Sequence, residues 1–186
     1  MNLLVVSDIF GSTKPLNDFA AQLLSFYGEI IVIDPYDGQN IQFSSEEDAY
    51  KYFQINCGIK QLTKQLAEEV EKSKDTVDII GFSVGGTSAW EISGSETSKS
   101  IRNIVCFYSS RIREKTSVAP RFSTTVVFPA FEKSFDLEPI VQAVERDTNV
   151  EVIRTNHLHG FMNKNSVNYS AAGYKHFLSW FTNKVA

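Results

Sequence analysis

Three residue types that can together open an ester occur in a telling order along this chain: a serine framed by glycines, then carboxylates, then a histidine. Gly81-Phe82-Ser83-Val84-Gly85 follows directly on the apolar run Val77-Asp78-Ile79-Ile80. A G-x-S-x-G sequence between a buried strand and a helix fits a nucleophile elbow, in which glycines let the neighbouring backbones approach and the serine stands at the tip of the turn. The turn exposes the hydroxyl, and the new helix opens with N–H groups that lack intrahelical partners. On this reading Ser83 is a nucleophile. The same residues also suit a plain glycine-rich turn of any α/β protein, so the decision rests on partners for the serine.

A serine hydroxyl is a poor nucleophile until a base takes its proton, and that base needs a carboxylate to orient it. The chain holds three histidines. His176 lies in a segment of helical spacing and reads as a surface residue. His157 and His159 follow the last apolar run, and His159 is preferred as the base because Gly160 permits a sharp loop behind it. His157 reads as a hydrogen-bonding loop residue. The pair could also form an H-x-H metal site, but no further clustered ligands accompany them. Neither a metal nor an organic cofactor is therefore expected.

The acid should fall between serine and histidine. Glu132, just past the apolar run 124–128, is preferred over Asp136, which suits an N-cap for the following helix. An oxyanion needs two backbone donors. One would be the N–H of Val84. The other would come from the loop Asp8-Ile9-Phe10-Gly11-Ser12, unless that loop is an ordinary connection with Ser12 or Thr13 capping a helix at Pro15.

These residues need a scaffold. Six short runs rich in Val and Ile, at 3–6, 30–33, 77–80, 103–107, 124–128 and 150–154, mostly lack polar alternation and read as strands buried on both faces. Between them, helical spacing spans 15–27, a segment opening at Ser44 and running toward Lys72 with a break near Cys57-Gly58, 84–92, 136–146 and 170–184. Alternating strands and helices predict a parallel sheet covered on both faces, with its site beyond the carboxyl ends of the strands. The stretches 93–100 and 111–121 read as surface loops, the second near a strand end, with Arg111 and Arg113 as solvated charge.

At 186 residues a single domain over 1–186 with a sizeable core is expected. The net charge of -4 and the absence of Lys/Arg runs argue against a nucleic-acid surface. The first residues read as a strand rather than a leader, and no stretch reaches membrane-spanning length, so a cytoplasmic protein is the expectation. Cys106 reads as a buried free thiol, and two cysteines do not make a disulfide scaffold.

Taken together, four segments resemble the dienelactone hydrolase family. Val5-Val6-Ser7-Asp8-Ile9-Phe10-Gly11 is similar to its first oxyanion loop, and Ile33-Asp34-Pro35-Tyr36 to its Pro-Asp-Leu-Tyr region. Gly81-Phe82-Ser83-Val84-Gly85-Gly86 resembles its elbow. His159-Gly160-Phe161-Met162-Asn163 with Tyr169-Ser170-Ala171-Ala172 resembles its histidine loop and final helix. The resemblance implies a minimal α/β-hydrolase fold of about six mostly parallel strands. The implied activity is hydrolysis of a small ester, lactone or thioester through an acyl-enzyme. It pairs Ile9 N–H with Val84 N–H as the oxyanion hole, and Asp8, Phe10, Tyr36 and Phe161 would line the substrate pocket. This chain departs from the family pattern in carrying serine where the named enzyme has cysteine, Glu132 where aspartate is usual, and Asp8 where glutamate is usual. Expected partners are a small ester or thioester and, at most, a second copy of the chain (monomer or homodimer). A non-catalytic binding module of the same fold is the alternative. A nucleotide- or flavin-binding protein is disfavoured, since no G-x-G-x-x-G or Walker sequence follows the first strand.

Overall fold

All six apolar runs become strands in a computed structural model that describes residues 1–96 and 101–185. They are β1 (Asn2–Val6), β2 (Glu29–Ile33), β3 (Val77–Phe82), β4 (Ile101–Phe107), β5 (Ser123–Phe128) and β6 (Val150–Arg154). Every pairing is parallel, in the order β2-β1-β3-β4-β5-β6. The chain steps from β1 outward to β2 and then returns to the other side of β1 with β3. The carboxyl ends of β1 and β3 therefore diverge into different connections, which is where open α/β sheets place their sites.

Side chains alternate across each strand, so the sheet builds two cores. Leu4, Val6, Ile79, Ile104, Cys106 and Val126 face one side. There they meet Phe53 of α2 (Glu46–Asn56), Leu62, Leu66 and Val70 of α3 (Gly58–Lys72), Trp90 of α4 (Val84–Ser93) and Val141 of α5 (Glu138–Val144). Leu3, Val5, Ile80, Phe82, Val105 and Val127 face the other. There they meet Phe19 of α1 (Lys14–Ala21) and Phe177 and Phe181 of α6 (Ala171–Val185). Covering both faces is what allows the strands to be apolar throughout.

Helix boundaries differ from the sequence reading in physically simple ways. Helix α1 ends at Ala21, and the chain to Phe26 tightens into turns through Leu23 N–H to Ala20 and Phe26 N–H to Leu23. Leu23 stays buried that way while Leu24 is exposed. Thr13, not Ser12, caps α1 by accepting from Leu16 N–H at 3.4 Å. Ser45 rather than Ser44 caps α2, accepting from Asp48 N–H at 3.1 Å, while the Ser44 hydroxyl bonds the Asp48 carboxylate instead. The expected break between α2 and α3 is present, where Cys57 leaves helical geometry and Gly58 takes φ +71°. Of the expected surface loop 93–100, Ser93 closes α4 and is buried, and 97–100 lie outside the described residues. Nor is 111–121 wholly a surface loop, because Ser110–Glu114 wind into a short 3-10 turn with Ile112 buried.

Candidate active site

Residue Ser83 stands between β3 and α4 with φ 52° and ψ -111°. A non-glycine residue in that region is strained, and such strain persists only where the surroundings hold it. Here the glycines around it supply the space. A Cβ on Gly81 would strike the Gly85 carbonyl, one on Gly85 the Ser7 and Val6 carbonyls, and one on Gly86 the Ser109 hydroxyl. Ser83 N–H continues the sheet ladder by donating to Phe107 O at 2.9 Å. Its carbonyl is drawn into α4 by Thr87 N–H at 3.0 Å and by the Thr87 hydroxyl. Because the peptide is trans, the Val84 N–H points the opposite way.

The Ser83 Oγ lies 3.0 Å from His159 Nε2, and His159 Nδ1 lies 2.7 Å from Glu132 Oε1. Glu132 sits just beyond β5, in a small turn closed by an antiparallel bridge between Glu132 and Phe135. Burial would raise its carboxyl, but the hydrogen bond and charge of His159, the Ser110 hydroxyl and the charge of Arg113 together hold it below the usual value. Asp136 stands apart, accepting from Glu138 N–H at 3.0 Å at the start of α5. His157 is also occupied elsewhere: its ring stacks on Phe161 at 4.9 Å and its carbonyl accepts from Ala130 N–H. His176 is exposed on α6. Among the described residues no group of His, Cys, Asp and Glu could hold a metal ion.

The loop after β1 is closed by its own side chains. Asp8 Oδ1 accepts from Phe10 N–H at 2.9 Å, and Asp8 O accepts from the Ser7 hydroxyl and from Gly11 N–H. With the Asp8 carbonyl held there, the trans peptide directs Ile9 N–H away from it. Tyr36 donates its hydroxyl to Ile9 O at 2.6 Å. Gly11 adopts φ +75°, and a Cβ there would meet the Tyr36 ring at 2.7 Å, so glycine fits where the loop folds over Tyr36.

A cleft of about 470 Å³ opens over these groups, lined by Ile9, Ser83, Val84, Glu132 and His159. The four side chains expected in the pocket are not among its lining residues. Tyr36 is buried beneath Ile9, Phe161 is buried against His157, Phe107 and Phe177, and Phe10 packs edge-on against Phe43. Asp8 faces a separate small space beside Phe19, Phe82 and Tyr108, and burial pushes its carboxyl up despite the Phe10 and Asn163 hydrogen bonds. These are supports of the site rather than its walls.

Besides the turn 131–135 around Glu132, Leu158 and Asn168, the walls include two segments that sequence reasoning did not place there. Helix α2 contributes Glu46, Glu47 and Tyr50, and the 3-10 turn after β4 contributes Ser110, Arg111 and Arg113. Neither arginine is simply solvated. Arg111 pairs with Glu114, and Arg113 lies 4.6 Å over the Phe135 ring while donating to Ser110 O at 2.9 Å. Ser110 itself bonds Glu132 Oε1 at 2.6 Å and lies 3.0 Å from His159 Nδ1. Its signal in the sequence was only position, as a hydroxyl three residues past the end of a buried strand. A serine hydroxyl bonded to an imidazole that is backed by a carboxylate can lose its proton to that ring and attack an electrophilic carbon.

Comparison with known proteins bears on the family and the fold. A model of the dienelactone hydrolase family matches residues 2–184. The uncharacterized protein YczH of Bacillus subtilis (strain 168) is 28% identical over 159 residues, covering 78% of this chain and 76% of that protein. Among solved structures, a dienelactone hydrolase-like promiscuous phosphotriesterase from metagenomic libraries superposes with TM-score 0.68 at 16% identity, covering 98% of this chain and 85% of that one. A dienelactone hydrolase from Anabaena variabilis superposes with TM-score 0.62 at 17% identity, with the same coverage of 98% and 85%. At such identities the structures establish a shared α/β-hydrolase fold.

Proposed function

The chain belongs to the dienelactone hydrolase family, and from that premise we propose that it is a serine hydrolase cleaving a small carboxylic ester, lactone or thioester through an acyl-enzyme. The observation that carries this reading is the unbroken chain from Ser83 Oγ through His159 to Glu132, with contacts of 3.0 Å and 2.7 Å. His159 Nε2 takes the Ser83 proton as Oγ attacks the substrate carbonyl. The carbonyl oxygen becomes an oxyanion and is held by Ile9 N–H and Val84 N–H, both at the cleft wall. Glu132 keeps the remaining ring proton on Nδ1 and offsets the imidazolium charge. His159 then protonates the departing alkoxide or thiolate. Water, deprotonated by His159, attacks the acyl-enzyme and releases the acid and free Ser83. The whole route draws on side chains, backbone and water.

The test is intact-mass analysis after fluorophosphonate treatment of the folded protein. One adduct is expected on wild type, absent in Ser83→Ala and formed much more slowly in His159→Ala. Wild-type protein that takes no adduct, or Ser83→Ala that still takes one, overturns the reading in favour of a ligand-binding module of the same fold.

A further inference from the structure

We propose that Ser110 is a positioning residue of this site, donating its hydroxyl to Glu132 so that the carboxylate holds His159 in register with Ser83; the inference rests on the serine-hydrolase reading above. A glutamate reaches the imidazole through three side-chain torsions, and each must be fixed if the ring is to stay oriented. Among the described residues, the hydrogen bonds to the Glu132 carboxylate both fall on Oε1, from His159 Nδ1 at 2.7 Å and from Ser110 Oγ at 2.6 Å. Without Ser110 the carboxylate would be tied to the ring alone, and the two could swing together. The third side of the triangle is also closed, because Ser110 Oγ lies 3.0 Å from Nδ1. The ring N–H is thereby presented with two oxygens on the same side, which favours the tautomer that leaves Nε2 free to accept from Ser83.

The backbone around Ser110 is built to place that hydroxyl. Tyr108 is buried with φ 39°, a costly conformation for a bulky residue, and it turns the chain sharply off the end of β4. Tyr108 N–H still extends the sheet ladder to Val127 O at 2.8 Å, and Ser110 N–H returns to Tyr108 O at 3.0 Å. Arg113 then grips the Ser110 carbonyl from the next turn, with its guanidinium braced over Phe135. Phe135 is bridged in turn to Glu132. Backbone strain, a guanidinium and an aromatic ring thus converge on one serine that touches the acid and the base but is distinct from the nucleophile.

The experiment compares wild type, Ser110→Ala and Ser110→Thr by the rate of fluorophosphonate labelling at Ser83 and by the proton resonance of the His159 Nδ1–H. Labelling of Ser110→Ala is expected to slow about tenfold at unchanged fold, and Ser110→Thr, which keeps the hydroxyl, to recover to within about threefold of wild type. The Nδ1–H resonance should shift or broaden in Ser110→Ala and return in Ser110→Thr. Wild-type rate and an unmoved resonance in Ser110→Ala would overturn the proposal, as would equal slowing in both variants, which would make the residue a packing element. If wild type itself takes no adduct, the hydrolase reading fails separately, and the resonance alone decides whether Ser110 orients His159.

Discussion

Asn163 donates its side-chain amide to Asp8 Oδ2 at 2.5 Å, joining two loops that lie 155 residues apart in the chain. One loop carries Ile9 and the other carries His159. The same Asp8 carboxylate also fixes Phe10 N–H, so a single side chain sets the shape of the first loop and its distance from the second. Leaving an enclosed carboxyl short of a hydrogen-bond donor costs about 1–3 kcal/mol. Asn163→Ala should therefore lower thermal stability modestly and slow fluorophosphonate labelling of Ser83 severalfold. Unchanged labelling would mean that the two loops are positioned independently.

Replacing Tyr36 by Phe removes the hydroxyl given to Ile9 O while keeping the ring that packs on Gly11. Leaving that carbonyl without its donor costs about 1–3 kcal/mol. The expected signature is a lower denaturation midpoint together with slower acylation, because the loop that carries Ile9 loses one of its anchors. If Ile9 supplied no donor to the reaction, only the midpoint would fall.

Glu132 should show itself in the pH dependence of stability. The Glu132 carboxyl is held below its ordinary value of 4.5, its partners outweighing burial. A depressed folded value adds stability that is fully present above the unfolded value and is lost as pH falls through the folded one. Denaturant unfolding of wild type and Glu132→Gln should differ most near neutral pH, and the difference should shrink below about pH 4.5. A gap that stays constant through that range would contradict the arrangement.

Tight packing behind the elbow predicts a specific rescue. A methyl group at position 86 would overlap the Ser109 hydroxyl and crowd its Cβ. Gly86→Ala should cost about 1–3 kcal/mol, as overpacking does, and the double variant Gly86→Ala/Ser109→Gly should regain part of it. Equal destabilisation in single and double variants would place the strain in the backbone alone.

At the opposite end of the sheet, Asp78 is only 1% exposed and is bonded to the Tyr27 hydroxyl at 2.7 Å, to Arg102 at 2.6 Å and 3.0 Å, and to Asn103. Arg102 is itself 39% exposed, so removing the carboxylate strands no buried charge, but it takes the partner of the buried Tyr27 hydroxyl, at a cost of about 1–3 kcal/mol. Asp78→Ala should unfold at markedly lower denaturant, yet its folded fraction should label at Ser83 at the wild-type rate. A large loss of labelling in folded protein would show that this end of the sheet couples to the cleft.

Much of the scaffold was readable because its signals are local. Apolar runs such as 77–80 and 150–154 announce strands by composition over a few residues, and the cluster of glycines at 81, 85 and 86 suits the close backbone approach found there. Helix ends were less legible. Ser44 and Ser45 are equivalent as text, and only the geometry of Asp48 selects the second. The aromatic residues misled for a related reason. Tyr36, Phe10 and Phe161 neighbour candidate residues in the chain, but adjacency does not say which face a side chain takes. Two of the three turn out to be buried supports.

The sequence alone therefore determined the alternation of elements, the placement of Ser83 between a strand and a helix, and the order in which the candidates Ser83, Glu132 and His159 occur along the chain. It could not determine which groups meet. Ser83 and His159 are 76 residues apart, Ser110 and His159 49, and Ser110 and Glu132 22, and nothing in the intervening composition encodes those contacts. They exist because the strand order puts the carboxyl ends of β3, β4 and β5 side by side. Left-handed backbone at Ser83 and Tyr108 then turns each connection toward the same cleft. Periodicity is a property of neighbouring residues, whereas the arrangement of Ser83, His159, Glu132 and Ser110 is a property of the folded sheet, and only assembling the sheet brings them within hydrogen-bonding distance.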